Sequence, residues 1–413
     1  MITVENAIET ILDEIRPLGL ESTDILSALG RVLGQDVRAA RPNPPWDNSA
    51  MDGYALIASD TKGASEANPV ALQVIYDLPA GSVPGEAVKS GQAVRIMTGA
   101  PVPDGATAVI MVERTKQGPG ATALILAEAR EGDNIRRQGE DFRAGDVVIK
   151  AGSLVRPAEV SMLATTGSAF AVVHKRPRVA VLSTGDELAE IDEEPAKGKI
   201  SNSNGWALSA LVAAAGAEPV QLGIARDTRE SLREKLTEAM KTDCIISSGG
   251  VSVGDYDFVK GVLKDMGSTM KFWKVAMKPG KPLAFGIIGG RPAFGLPGNP
   301  ISSMVAFEQF VRPALLKMSG RKDIFGATLG ARLTKDVRIK PGRMNFVRAE
   351  LDISGAEFTV TPLDGQGSGM ISTLVRSNSF IVVPQGSVGF KAGDTVKVQP
   401  YDPSILLRET PGY

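Results

Sequence analysis

The chain has 413 residues, 43% of them hydrophobic and 23% charged, with a formal net charge of −1. That is ordinary composition for a soluble chain of roughly two to four domains, with no global field for nucleic acid or an anionic membrane. A single cysteine, Cys244, and a single histidine, His174, exclude intrachain disulfides and a Cys/His zinc site. They also leave a Ser-His-Asp triad only His174, with nothing beside it in support.

Val4, Ala7, Ile8, Ile11, Leu12 and Ile15 recur at helical spacing and predict an amphipathic first helix. Its Glu5, Glu9, Asp13 and Glu14 are unlike the basic start of a secretion signal. No apolar run approaches the ~18 residues of a membrane span. A cytoplasmic protein is expected, without membrane or nucleic-acid partners. Ile25, Leu26, Leu29, Val32 and Leu33 predict a second helix. The stretch AARPNPPWDNSAMDGYAL (39–56) then reads as an exposed proline-rich loop. Residues 56–145 alternate short β-type runs with Gly/Pro turns and read as a small β-rich domain. Residues 145–175 hold VVIKAG and a helix opening at Pro157.

From Pro177 the texture changes. RVAVLST (178–184), PVQLGI (219–224) and CIISSGG (244–250) read as buried strands. They alternate with helices over 206–215, 228–241 and 258–266. This βαβαβα order is the signature of a doubly wound α/β domain. Strands over 282–287 and 292–296 and a long helix over 301–318 follow. Residues 326–402 return to short strands and read as a C-terminal β-barrel.

Ligands of open α/β sheets bind beyond the carboxyl ends of the strands. Here those ends carry acids: Asp186 and Glu187 after the first strand, Asp227 after the second, and Asp255 and Asp257 after the third. One acid at such a place is as readily a helix cap; three successive ends favour a site. Ser248, Gly249, Gly250 and Ser252 in SSGGVSVG offer hydroxyls and amides to a phosphate. Pro297, Gly298 and Asn299 in GLPGNP form a second such turn. Lys274 and Lys278 flank VAM, and strand spacing would point both ammonium groups one way. Acids, amides and lysines together suit a polyanion bound with a hard cation such as Mg2+. No G-x-G-x-x-G turn follows the first strand and no G-x-x-x-x-G-K-[ST] loop exists, so nicotinamide and P-loop readings fall away. Outside this domain, DNSAMDGY carries Asp47, MTGAPVP carries Thr98, and NIRRQGEDF places Arg136 and Arg137 near Glu140 and Asp141. Each is also readable as loop-stabilising chemistry. His174 and Cys244 are read as structural.

DNSAMDGYA, TGAPVP, NIRRQGED, STGDEL, SGGVSVGDYD, KPGKP and GLPGNP, in this order, resemble the MoeA family and the E domain of gephyrin. The resemblance implies a discontinuous helical domain (1–45 with 145–176) and a β-rich domain inserted in it (46–144). It further implies an α/β domain (177–325) similar to the molybdopterin-adenylating protein and a C-terminal β-barrel (326–413). The implied activity is a transferase reaction: adenylylated molybdopterin and molybdate yield molybdenum cofactor and AMP, with Mg2+. Glu187, Asp227 or Asp257 would ligate Mg2+; Lys274, Lys278 and Arg136 would hold the anions. Asp47, Thr98 and Asp141 match positions tied to activity, and Arg348 and Ser368 match barrel positions. A homodimer is implied in which each site takes Asp47 from one chain and Asp257 from its partner, and the molybdopterin-adenylating protein is a candidate partner. The chain departs from the D-[ST]-N segment of many relatives: it has Asn202-Ser203-Asn204 followed by Gly205, which puts a metal ligand at Asn202 in question. A receptor-clustering scaffold is the alternative, and so is a different enzyme on the same α/β domain. The latter leaves DNSAMDGYA and TGAPVP unexplained.

Overall fold

The structure, a computed structural model, describes residues 1–194, 196–250, 256–355, 357–407 and 410, without the side chains of 256–260. The first helix, Val4–Glu14, begins where the Thr3 hydroxyl accepts the Asn6 amide. Its buried face, Val4, Ala7 and Ile11, joins the core that also holds Val181, Phe285 and Phe310. The Lys317 ammonium donates to the Leu12 carbonyl at 2.7 Å and fastens the helix end to the α/β domain.

The helix expected over 25–33 does not form. Leu20–Asp24 is a strand, paired antiparallel with Phe170–His174. The Asp24 carboxylate accepts the Leu26 and Ser27 amides, and the turns this starts run out at Gly30, whose φ is 77°. Val32 and Leu33 then bridge to Leu154 and Val173. Leu26 and Leu29 are left exposed, so the apolar spacing there does not mark a core face.

The inserted β-rich region has a six-stranded sheet in the order Ala108–Met111, Gly53–Leu56, Gln92–Ile96, Val70–Leu78, Thr122–Ile125, Thr115–Gln117. Its two hydrophobic clusters draw only on its own residues among those described. Gly53 sits between two strands, opposite Ile96 and Met111. A β-carbon there would lie 1.9 Å from the Ile110 carbonyl oxygen, so the glycine of MDGY is required by close backbone approach.

The α/β sheet runs Glu218–Ala225, Arg178–Thr184, Cys244–Ser248, Arg291–Leu296, Pro282–Ile288, Thr269–Lys274. The first four strands are parallel and the last two antiparallel. Helices Ser203–Ala214 and Arg229–Ala239 cover opposite faces, each in a separate hydrophobic cluster. The long helix expected over 301–318 is interrupted by a π segment at Phe307–Val311. Pro313 has no N–H for the regular ladder, and the Arg312 amide bonds back to the Phe307 carbonyl.

Lys274 and Lys278 do not share one strand. Lys274 ends its strand, and Val275, Ala276 and Met277 are all buried rather than alternating. Here the chain crosses between two bodies, and the Ala276 amide donates to the Ile2 carbonyl. Met277–Lys278 then pairs in parallel with Met344–Asp352 of the barrel. The barrel itself closes through the Met344–Asp352, Thr359–Pro362, Leu329–Leu333, Thr395–Pro400 and Ser379–Val383 strands. Exchange of Gly53 for alanine is expected to lower unfolding free energy by about 1–3 kcal/mol through overpacking. Urea denaturation checks it, and an unchanged midpoint would show that the strand can yield.

Candidate functional site

Strand order reverses at Arg178–Thr184, whose sequential neighbours lie on opposite sides of it. A crevice therefore opens beyond its carboxyl end, the usual ligand position in such sheets. A cavity of about 70 Å3 occupies that place, lined among others by Thr184, Glu187, Asn202, Asn204, Ser248 and Gly298. Gly249 has a φ of 92°, and a β-carbon on it would lie 2.5 Å from the Thr184 carbonyl oxygen. Only glycine lets the two strand ends meet so closely. Gly250 also has a positive φ, 66°.

Asn204 ties the two glycine turns together. Its amide nitrogen donates to Ser248 Oγ at 2.8 Å and to the Gly298 carbonyl at 2.7 Å. Its buried Oδ1 has no partner. The Gly298 carbonyl fixes this amide orientation, because an oxygen turned toward it would repel. Pro297 is buried and its carbonyl accepts from the Ser248 and Ser303 hydroxyls. Asn299 stands before helix Pro300–Ala306 without a side-chain cap bond.

The acids are arranged differently from the expectation. Asp186 and Asp227 clasp one another: each carboxylate accepts the other's backbone amide, both at 3.3 Å. Two adjacent strand ends thus carry neighbouring carboxylates. Glu187 is exposed and folds its carboxylate over Gly185. Ser252 and the Asp257 side chain lie outside the described residues. Among the described residues no three His, Cys, Asp or Glu side chains gather into a metal cluster. Asn202 is 3% exposed, and its Oδ1 accepts from the Ser183 hydroxyl at 2.6 Å and the Gly205 amide at 3.1 Å. It is a helix cap, its oxygen engaged inside the protein.

The barrel contributes a buried cation. Arg348 is 0% exposed, and its Nη2 donates to the Gly365 and Gly367 carbonyls at 3.0 and 3.2 Å. Gln366 locks this loop to the strand, accepting the Arg348 amide and donating to the Arg348 and Leu363 carbonyls. Arg348 Nε and Nη1 are buried without partners. Burial pulls the Arg348 pKa down, while the nearby Tyr401 acts in the opposite direction. Ser368 is half-buried and next to Gly367 in the same loop. Lys278, opposite Asn345 on the neighbouring strand, lines a cavity of about 250 Å3 together with Gln366. Lys274 is exposed at the sheet's edge strand, away from this pairing.

A third group forms in the inserted region, where the three motif loops meet. Asn48–Ser49 pairs with Ile135–Arg136, the Ser49 amide donates to the Ala100 carbonyl, and the Val102 amide to the Asp47 carbonyl. Asp47 accepts Arg137 Nη1 and the Gln138 amide, each at 2.7 Å. Burial pushes the Asp47 carboxyl up, but the Gln138 amide and Arg137 outweigh it and hold it below the usual range. Thr98 donates both its hydroxyl and its amide to Asp52, each at 2.7 Å, and the hydroxyl and then the amide keep that carboxyl low as well. Asp141 accepts the Asn43 side-chain amide at 3.0 Å. Arg137, not Arg136, is thus the partner of Asp47; Arg136 is exposed with no ion pair among the described residues. In the sequence Asp186 stands among the strand-end acids and Arg137 beside Arg136, neither with an assigned role, and Asp52 and Asn204 carry none. Asp52 lies in the DNSAMDGY motif with Asp47, and Asn204 in the segment flagged as a departure.

Residues 2–167 match the MoeA N-terminal region (domain I and II), 180–317 a probable molybdopterin binding domain, and 330–401 the MoeA C-terminal region (domain IV). A molybdopterin molybdenumtransferase of Staphylococcus aureus is 36% identical over 96% of this chain and 95% of its own. One from Staphylococcus epidermidis is 34% identical over the same shares. A solved structure of a molybdopterin biosynthesis MoeA protein from Pyrococcus horikosii superposes with a TM-score of 0.83 at 32% identity, covering 97% of this chain and 99% of that one. Exchange of Asn202 for alanine is expected to cost about 1–2 kcal/mol of stability through the lost cap. It should leave divalent-cation affinity unchanged, as read by calorimetric titration; a large loss of affinity would return Asn202 to the ligand set.

Proposed function

This chain belongs to the MoeA family of molybdopterin molybdenumtransferases, and on that premise we propose that it acts in molybdenum cofactor biosynthesis as a cytoplasmic homodimer. It inserts molybdenum from molybdate into adenylylated molybdopterin and releases AMP in a Mg2+-dependent reaction. The observation that carries this reading is Arg348. A guanidinium stays charged in a protein, and burying it without a counter-ion costs several kcal/mol unless an anion is supplied. Its two unpartnered nitrogens point to an oxyanion as the missing partner, and molybdate is a tetrahedral dianion of that kind. Lys278 and Ser368 stand near the same loop and add a charge and a hydroxyl.

The strand-edge crevice takes the phosphate-bearing substrate. Ser248, Gly249, Asn204 and Gly298 line it, and the unpartnered Asn204 Oδ1 offers an acceptor to a hydroxyl or amide of that substrate. Asp186 and Asp227 offer neighbouring hard oxygens, matching the one or two carboxylates that Mg2+ usually takes along with substrate phosphates. When bound there, Mg2+ supplies charge neutralisation at the pyrophosphate. Asp186 joins Glu187 in this reading: Glu187 lines the crevice itself, with its carboxylate over Gly185. Asp227 keeps the role the resemblance implies.

The constellation of Asp47, Arg137, Asp52 and Thr98 completes the site from the partner subunit. It is built wholly on the inserted region, whose clusters share no described residue with the α/β core. Asp47 and Asp52 are both held ionised and positioned, which suits them to orient substrate. Molybdate-dependent AMP release from adenylylated molybdopterin, abolished by a chelator, is the expected activity. Asp47→Ala and Asp227→Ala homodimers should each be nearly inactive. A mixture under subunit exchange should regain activity, because one site of each mixed dimer carries no lesion. Chelator-insensitive release would remove the cation from the mechanism. Absence of rescue, with exchange confirmed by mass, would reject the shared site.

A further inference from the structure

The chain enters the α/β domain through HKRPR (174–178) and leaves it through SGRKDIFG (319–326). These two linkers converge on a cavity of about 360 Å3, lined by Arg31, His174, Lys175, Arg176, Arg312 and Arg321, with Asp323 as the one acid lining it among the described residues. Two of those cations are already matched. Arg31 pairs with Glu21 and donates to the His174 carbonyl at 2.7 Å, and Arg312 pairs with Glu308 at 3.1 Å. Lys175, Arg176 and Arg321 have no ion pair among the described residues. Helices Ser203–Ala214 and Arg312–Met318 end at the cavity, and their carboxyl ends offset about half a charge each. Three cations against Asp323 and those helix ends still leave the cavity positive.

This cavity is not the strand-edge crevice. Asn202 caps one end of the Ser203–Ala214 helix at that crevice, while Ala214, Ala215 and Gly216 line the basic cavity at the other end. A 12-residue helix spans about 18 Å. The two sites thus sit at opposite edges of the same sheet.

We propose that this cleft binds a small oligophosphate anion and, by doing so, ties together the two linkers on which the α/β domain hangs. Its volume falls in the range of small-ligand sites, about 300–1,000 Å3. Arg176 and Arg321 bring it guanidinium groups free of ion pairs among the described residues, whose planar donor fork matches phosphate oxygens. Arg176 reaches it from the entry linker and Arg321 from the exit linker, so one bridging anion would contact both. Such a ligand would stiffen the junction between the first domain and the α/β domain without touching the reacting groups.

The test is calorimetric titration of the full-length protein with inorganic pyrophosphate, free of divalent cations and at matched ionic strength. Wild type and Asn204→Ala, a lesion in the strand-edge crevice that the proposed function gives to the phosphate-bearing substrate, should bind alike. The Arg176→Ala/Arg321→Ala variant should bind about tenfold to a hundredfold more weakly, the loss of charge-assisted contacts. Its melting temperature without ligand should match wild type, and Lys175→Glu provides a second, independent lesion. Wild-type affinity in both cleft variants would overturn the proposal. So would an absence of binding to wild type, or a loss of binding in Asn204→Ala equal to that in the cleft variants.

Discussion

The antiparallel ladder between Leu20–Asp24 and Phe170–His174 is the joint on which the rest of the chain depends. It closes the long excursion that carries the whole inserted region. Closing so long a loop costs only slowly more entropy than closing a short one, and the cost is offset by a compact core. Ala28, Leu33, Ile149, Val155, Leu163, Ala171 and Val173, drawn from both sides of the excursion, make up that core. Val37–Arg38 pairs with Val147–Ile149 to form the neck above it. Four residues past the ladder, Arg178 opens the central strand of the α/β sheet. One short pairing thus sets how the motif loops of the inserted region are carried relative to the sheet.

Charge is handled differently in each part. In the inserted region every motif acid has a donor close by, so its loops are held by internal hydrogen bonds. Asp47 and Asp52 keep their charge at neutral pH, and those clasps are lost only as pH falls below the ordinary carboxylate range. At the sheet edge, carboxylates are satisfied by each other's backbone amides, which places like charges side by side, an arrangement a cation relieves. The barrel does the reverse and buries a cation with nitrogens to spare. A substrate pair made of a phosphate ester with Mg2+ and a separate oxyanion meets both demands.

The doubly wound sheet and the barrel were legible because buried parallel strands and turn-rich short strands have distinct textures. The motif loops were legible as polar clusters, and the structure brings DNSAMDGY, TGAPVP and NIRRQGED together as one group. What escaped the sequence was pairing within a cluster. Arg136 and Arg137 are chemically equal neighbours, and only the ladder to Asn48–Ser49 decides which one turns toward Asp47. Asp186 and Glu187 pose the same problem at a turn. Lys274 and Lys278 obey strand spacing, yet the chain changes sheets between them, which alternation cannot reveal. Ile25 to Leu33 has helical spacing, but Gly30 and the competing Asp24 turn are local features that outweigh it.

Under the proposed function, Arg348 is held as a buried cation for an oxyanion substrate. An anomalous difference map at the molybdenum edge, from crystals soaked in molybdate, tests it most directly. The account predicts a molybdenum peak whose oxygens reach Arg348 Nε or Nη1 within hydrogen-bond distance, beside the Gln366 loop. A well-ordered molybdenum bound elsewhere, with those nitrogens still bare, would contradict it.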